Sequence, residues 1–188
     1  MSTIATQPFA GTYLALHEPS SFAFAVRHSG VFWYRGSFSD VTASLNGDDD
    51  RLALEGTARV DSISVQQPPA MRKSVLGPEF FAAEQQPEIV FRSTAVRLAD
   101  DERVEVDGDL TIRGITRPVA ATGRYATPRA SSFGEIAGLQ LHTSIDRREF
   151  GLDWQMALPG GGVAVGWAVE IDIDLLLRRD DSASGVGE

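Results

Sequence analysis

Apolar and polar residues alternate with a period of two along most of this chain, the signature of strands with one buried and one wet face. Phe22, Phe24, Val26 and His28 share one face of such a segment, and Ala23, Ala25 and Arg27 the other. From Val104, the residues Val106, Gly108, Leu110 and Ile112 alternate with Glu105, Asp107, Asp109, Thr111 and Arg113. Leu139, Leu141, Thr143 and Ile145 repeat the pattern, and Val169, Ile171, Ile173, Leu175 and Leu177 oppose Glu170, Asp172, Asp174 and Leu176. One polar face per strand predicts an antiparallel sheet, because strands of a parallel sheet are covered on both sides and read as unbroken apolar runs.

Turn signals fall between these runs, at Ser29-Gly30, at Asn46-Gly47 with Asp48, Asp49 and Asp50 behind it, at Arg113-Gly114, and at Pro159-Gly160-Gly161-Gly162. Their spacing predicts a meander. A helical stretch is expected from Ala70 to Phe81, with Gly77-Pro78 as a restart, since proline suits the first position of a helix. Asp146 followed three residues later by Glu149 resembles a capping box over a single turn, Arg147 to Phe150. These signals predict an all-β antiparallel sheet with one or two short helices, followed by a disordered, charged then Ser/Gly-rich tail at 178–188.

Length and composition narrow the function. A chain of 188 residues, 43% of them hydrophobic, buries one core without a staple, and it has no cysteine with which to make one. The formal net charge of −9 opposes a nucleic-acid partner, because phosphate backbones recruit basic proteins. No apolar run is long enough to span a bilayer, so no stable membrane insertion is expected. Met1 to Pro8 has neither a basic nor an apolar stretch, which reads as a cytoplasmic protein without a secretory signal.

Four separated segments resemble the YceI-like family. Phe24-Ala25-Val26-Arg27-His28-Ser29-Gly30-Val31 with Arg35-Gly36-Ser37-Phe38 is similar to its first strand pair. Pro78-Glu79-Phe80-Phe81-Ala82-Ala83-Glu84 with Pro87-Glu88-Ile89-Val90-Phe91-Arg92-Ser93-Thr94 is similar to its helix-to-strand segment. Gly108 to Val119 resembles its central hairpin, and Ile145-Asp146-Arg147-Arg148-Glu149-Phe150-Gly151-Leu152 its late turn. The likeness covers Gly11 to Leu177 and departs at Met71-Arg72-Lys73-Ser74-Val75, where relatives often carry a charged run containing Asp and His. Head-group contacts made from that run are not carried over. The resemblance implies a bacterial, all-β, extended antiparallel lipocalin-like barrel of the polyisoprenoid-binding kind at 11–177, preceded by an N-terminal arm at 1–10, and a non-catalytic binding or transport protein without a cofactor.

Physics supplies what such a barrel needs. Burying about ten methylene-sized groups at roughly 0.8 kcal/mol each gives about 8 kcal/mol before the cost of immobilising the ligand. A polyisoprenoid, prenyl-quinone or fatty-acid-like tail is long enough. The candidate ligand-binding residues are Phe22, Phe24 and His28 on one strand face, Phe32 and Trp33 after a glycine turn, Phe80 and Phe81 as core residues capping the barrel or as a portal lid, and Phe91 and Trp154. Gly108, Thr143 and Ser93 are the small inward positions that would leave room. Asp146 and Arg147 form a superficial acid–base pair that capping and surface pairing account for.

Enzyme signatures do not assemble. His17, His28 and His142 are far apart without metal-ligand spacing, and Gly160 to Gly162 lacks the Lys-Ser/Thr of a P-loop. Two other readings stand beside the carrier. One is an enzyme acting on a bound lipid or quinone through His28 and a nearby carboxylate; the other is a scaffold acting through protein contacts, with a homodimer formed on an outward strand face.

Overall fold

A computed structural model describes residues 7–48 and 51–184. Its ten strands are β1 (Gly11–Ala15), β2 (Ser21–His28), β3 (Phe32–Phe38), β4 (Val41–Asp48), β5 (Arg51–Arg59), β6 (Glu88–Leu98), β7 (Arg103–Ile112), β8 (Ile115–Ser131), β9 (Gly134–Asp146) and β10 (Val165–Arg179). All pairings are antiparallel, in the order β1-β4-β5-β6-β7-β8-β9-β10-β2-β3, and β1 also pairs with β10. The eight strands β1 and β4 to β10 therefore close into a barrel, while β2 and β3 form a ribbon that continues the wall from the upper part of β10.

The alternation read from sequence decides which side chains face inward. Across β2, β10 and β9 the inward rows are Phe22–Ile173–Leu141, Phe24–Ile171–Thr143 and Val26–Val169–Ile145. On β7 the apolar series Val104, Val106, Leu110 and Ile112 is buried, with Glu105 and Asp109 exposed. From β4 to β10 the chain is the expected meander. The outer faces carry Glu105, Asp107, Asp109, Glu170, Asp172 and Asp174, which is the polarity of a barrel in water and not of one girdled by lipid. No helix among the described residues is long and apolar enough to cross a membrane.

Two buried clusters fill the barrel. The lower one comprises Phe9, Tyr13, Leu45, Leu54, Val104, Val106, Leu139, Leu175 and Leu177 with their neighbours. The upper one gathers Phe38, Val60, Ile63, Phe81, Ile89, Leu110, Ile112, Phe150 and Ile171. Phe91 and Ile173 pack against both, so the apolar interior runs the length of the barrel.

Three local expectations need correction. The helix α1 (Pro69–Leu76) ends before Gly77 and does not restart at Pro78: Gly77 is held extended (φ −72°, ψ 174°), as a residue before proline prefers, and only hydrogen-bonded turns follow. Asn46-Gly47 is not a turn but part of β4, where a Cβ on Gly47 would lie 2.1 Å from the carbonyl oxygen of Phe9. Asp49 and Asp50, read as a hairpin tip, lie outside the described residues. Within the arm, Phe9 is fully buried in the lower cluster, its ring 5.5 Å from that of Tyr13. The end of the chain also differs, because β10 runs on through Arg178 and Arg179, pairing with β1, and a 3-10 turn spans Asp181–Ser184. Residues 185–188 of that tail are not among those described.

Candidate functional site

The barrel interior and its upper end form the candidate binding site. Phe22 and Phe24 enter it from β2, with their rings 6.1 and 5.7 Å from that of Phe38 on β3. Glycine makes this possible. Phe24 lies over Gly36, where a Cβ would come within 2.4 Å of its ring, and Phe91 lies over Gly108 at 2.5 Å. Gly108 is therefore not the empty space its small size suggested, since the facing ring occupies it. Ser93 and Thr143 are likewise engaged, accepting from the Leu54 N–H and donating to the Ala120 carbonyl respectively.

The interior is nonetheless incompletely sealed. Phe22, Phe24, Phe91, Val169 and Ile173 all point inward and are only half-buried. A small, partly open recess of about 20 Å³, enough for one water, lies beside Phe22, Phe38, Val41 and Leu175 where β1 gives way to β2. The larger concavity, about 400 Å³, is elsewhere, on the outer wall between Pro19, Arg124, Ala126, Gly138, Gln140 and Leu176. A chain-like ligand entering this barrel has to move rings aside; it does not fill a ready channel.

The upper end is built from three segments. Ser29 and Gly30, both at positive φ, turn β2 into β3 and leave Phe32 half exposed, stacked 5.1 Å from His28. His28 shares a 3.1 Å hydrogen bond with the Ser29 hydroxyl through Nδ1. Trp33 points to the outer face, beneath the Arg27 guanidinium at 4.7 Å, so it does not line the interior. Phe81 is buried in the upper cluster and Phe80 packs edge-on against it at 5.0 Å, which makes the pair a plug. Trp154 lies on the connection between Phe150 and Val165, partly exposed on the rim. The structure thus brings Phe22, Phe24, Phe91 and Phe81 into one interior, places His28 and Phe32 at its edge, and leaves Trp33 and Trp154 outside.

Arg147 is the residue that sequence reasoning misjudged. Asp146 does cap the turn Arg147–Phe150, accepting from the Arg148 N–H, and its ion pair is with Arg148 at 2.5 Å. Arg147 is not at the surface at all, being only 2% exposed. Its guanidinium donates to the carbonyls of Gly166, Leu152, Trp154 and Val165, and lies 4.5 Å from the Trp167 ring centroid and 6.0 Å from that of Phe80. Burial pushes its pKa down from the ordinary arginine value, opposed by Asp146 and Asp153, yet an arginine so placed stays charged. Its work is structural: one planar fork fastens the Leu152–Gly166 connection over the plug. The following Glu-Phe-Gly, which closes the turn with Gly151 at positive φ, was the only available hint.

On the outer wall, His142 sits between Asp172 (2.8 Å) and Glu170 (3.1 Å). The hydrogen bond to Asp172 raises its pKa above the usual histidine value, against a smaller desolvation effect, with the charges of Asp172 and Glu170 adding to the rise. Two carboxylates and one imidazole on a flat exposed face form an ion-pair network.

Comparison with known proteins gives the same architecture. A UPF0312 protein of Staphylococcus aureus (strain USA300) is 29% identical over 159 residues, covering 81% of this chain and 89% of that protein. Among solved structures, BcnA of Burkholderia cenocepacia superposes with a TM-score of 0.71 at 20% identity, covering 86% of this chain and 98% of that one. A polyisoprenoid binding domain from Saccharophagus degradans, implicated in plant cell wall breakdown, gives 0.62 at 11% identity over 92% of this chain and 100% of that one. The family model for the YceI-like domain matches residues 13–177, from the first barrel strand to the last, and with it the four segment likenesses become a single fact: this chain belongs to the YceI-like family.

Proposed function

We propose that this protein is a non-catalytic carrier that shelters an elongated apolar molecule along the barrel axis. The observation that carries the reading is the set of inward-facing, incompletely buried side chains, Phe22, Phe24, Phe91, Val169 and Ile173, which pack against the upper cluster, with Phe91 and Ile173 reaching the lower one as well. A core meant only for stability buries such rings fully. An apolar chain entering along the barrel would take over contacts these side chains now make with one another. The fold shared with a polyisoprenoid binding domain supports a ligand of that type, and a prenyl-quinone or fatty-acid-like tail meets the same physical requirement. No convergent polar groups are needed, because apolar burial supplies most of the affinity.

The acid–base alternative has less support: His28 is engaged by the Ser29 hydroxyl and the Phe32 ring, and among the described residues no carboxylate hydrogen-bonds its ring.

Organic extraction of the purified protein followed by mass spectrometry tests the carrier. The expected result is a stoichiometric apolar lipid with a long unbranched or isoprenoid chain. Protein that carries none, and that takes up no fluorescent prenyl probe in titration, would be a solid scaffold and not a carrier.

A further inference from the structure

Six large apolar side chains are exposed at the upper end, on two segments that touch. The β2–β3 tip presents Val31 (77% exposed), Phe32 (49%) and Trp33, and the connection before β10 presents Trp154, Met156 (53%) and Val163. The two segments are joined by the Ser29 N–H bond to the Ala164 carbonyl at 2.7 Å and by the pairing of His28 with Val165. Clustered exposure of this kind in a soluble-faced barrel marks a contact surface.

Charge shows what kind of surface it meets. In a chain of net charge −9, the stretch from Ser20 to Ser39 carries Arg27 and Arg35 and no Asp or Glu, and the connection from Leu152 to Ala164 carries a single acid, Asp153. The barrel wall below carries Glu170, Asp172, Asp174, Asp107 and Asp109 on its outer face. An anionic plane attracts the tip and repels the wall, so the molecule is oriented end-on. The mix of tryptophan, aliphatic tips and arginine is what the headgroup region of a bilayer accommodates, with apolar tips at the acyl boundary and guanidinium groups at the phosphates. Depth is limited by the backbone. The N–H and C=O groups of Trp33 and Arg35 point away from β2 on the free edge of β3, and such groups stay at headgroup level where water reaches them.

We propose that this rim docks on a phospholipid bilayer containing anionic lipid, with Val31, Phe32, Met156 and Val163 at the acyl boundary and Arg27 and Arg35 at the phosphates. Its purpose rests on the carrier reading: docking places the end of the barrel against the reservoir of apolar molecules, so the ligand exchanges without crossing water.

Cosedimentation with large unilamellar vesicles of phosphatidylcholine and phosphatidylglycerol tests it, with circular dichroism confirming that each variant is folded. The wild-type chain should partition onto these vesicles, less so as salt rises. The double variant Val31→Asp/Met156→Asp should lose about tenfold or more in partition, and Arg35→Gln should weaken binding without removing it. Phe133→Asp alters an equally exposed side chain (71%) on the β8–β9 turn at the opposite end and should bind as wild type. The proposal is overturned if the wild type stays in the supernatant, or if Phe133→Asp is as impaired as the double variant. It is also overturned if the double variant abolishes self-association in ultracentrifugation with no vesicle binding to lose, which would make the rim a protein interface. Lipid extraction on the same samples separates the two readings: bound lipid without vesicle partition leaves the carrier and removes the docking, and the reverse removes only the carrier.

Discussion

The guanidinium of Arg147 lies 4.5 Å from the centroid of the Trp167 ring, while Arg148 lies 4.8 Å from the same centroid and is ion-paired with Asp146. Two adjacent arginines thus have opposite fates, one buried on four carbonyls and one in water on a carboxylate. A buried cation without a buried anion is tolerable only because every carbonyl it meets points at it.

Replacing Arg147 therefore leaves several buried acceptors without donors. Arg147→Met should destabilise the protein by about 3 kcal/mol, and Arg147→Lys should recover little, since one ammonium cannot reach carbonyls arranged around a planar fork. Urea unfolding of both variants measures this; a lysine variant as stable as wild type would refute the bidentate role.

The packing of Phe24 on Gly36 makes a paired prediction. Gly36→Ala forces a Cβ to within 2.4 Å of the Phe24 ring and 3.0 Å of the Ser64 hydroxyl, and should cost about 1–3 kcal/mol by overpacking. Phe24→Ala opens the interior instead, at about 2–4 kcal/mol, less than a fully buried phenylalanine because the ring is only half-buried. Its uptake of a fluorescent prenyl probe should rise in rate, and stopped-flow mixing reads that directly.

His142 gives a pH signature. Its folded pKa lies above the value of 6.5 expected for the unfolded chain, so the folded state binds the proton more tightly. The stabilisation is complete below that unfolded value and is lost as pH rises through the folded one. Because the group is half exposed, the effect should be under about 1 kcal/mol. NMR titration of the ring should show the raised pKa, and Asp172→Asn should bring it back toward the ordinary value.

At the lower end the Tyr13 hydroxyl donates to Glu135 Oε1 at 2.5 Å, and burial together with that carboxylate raises the phenol to about 12. Tyr13→Phe keeps the ring contact with Phe9 and removes this bond, and should cost about 1–2 kcal/mol. In the wild type, ultraviolet titration should find Tyr13 still protonated near pH 10, with Tyr125 also shifted upward by its burial, and stability falling as pH rises from 10 toward 12.

Period-two patterning was enough to make β2, β7, β9 and β10 strands and to say which residues face inward, because a strand's side chains alternate whatever it pairs with. The turn chemistry of Ser29-Gly30 and Arg113-Gly114, all at positive φ, was legible for the same local reason. What sequence could not supply depends on residues distant along the chain. Gly47 reads as a turn until Phe9 is brought against it, and Gly108 reads as room until the Phe91 ring covers it. Arg147 reads as a surface charge until four carbonyls from Leu152, Trp154, Val165 and Gly166 converge on it. Side-chain alternation is a property of the backbone alone, whereas filling a cavity or satisfying a buried cation is a property of neighbours that only closure of the barrel brings together.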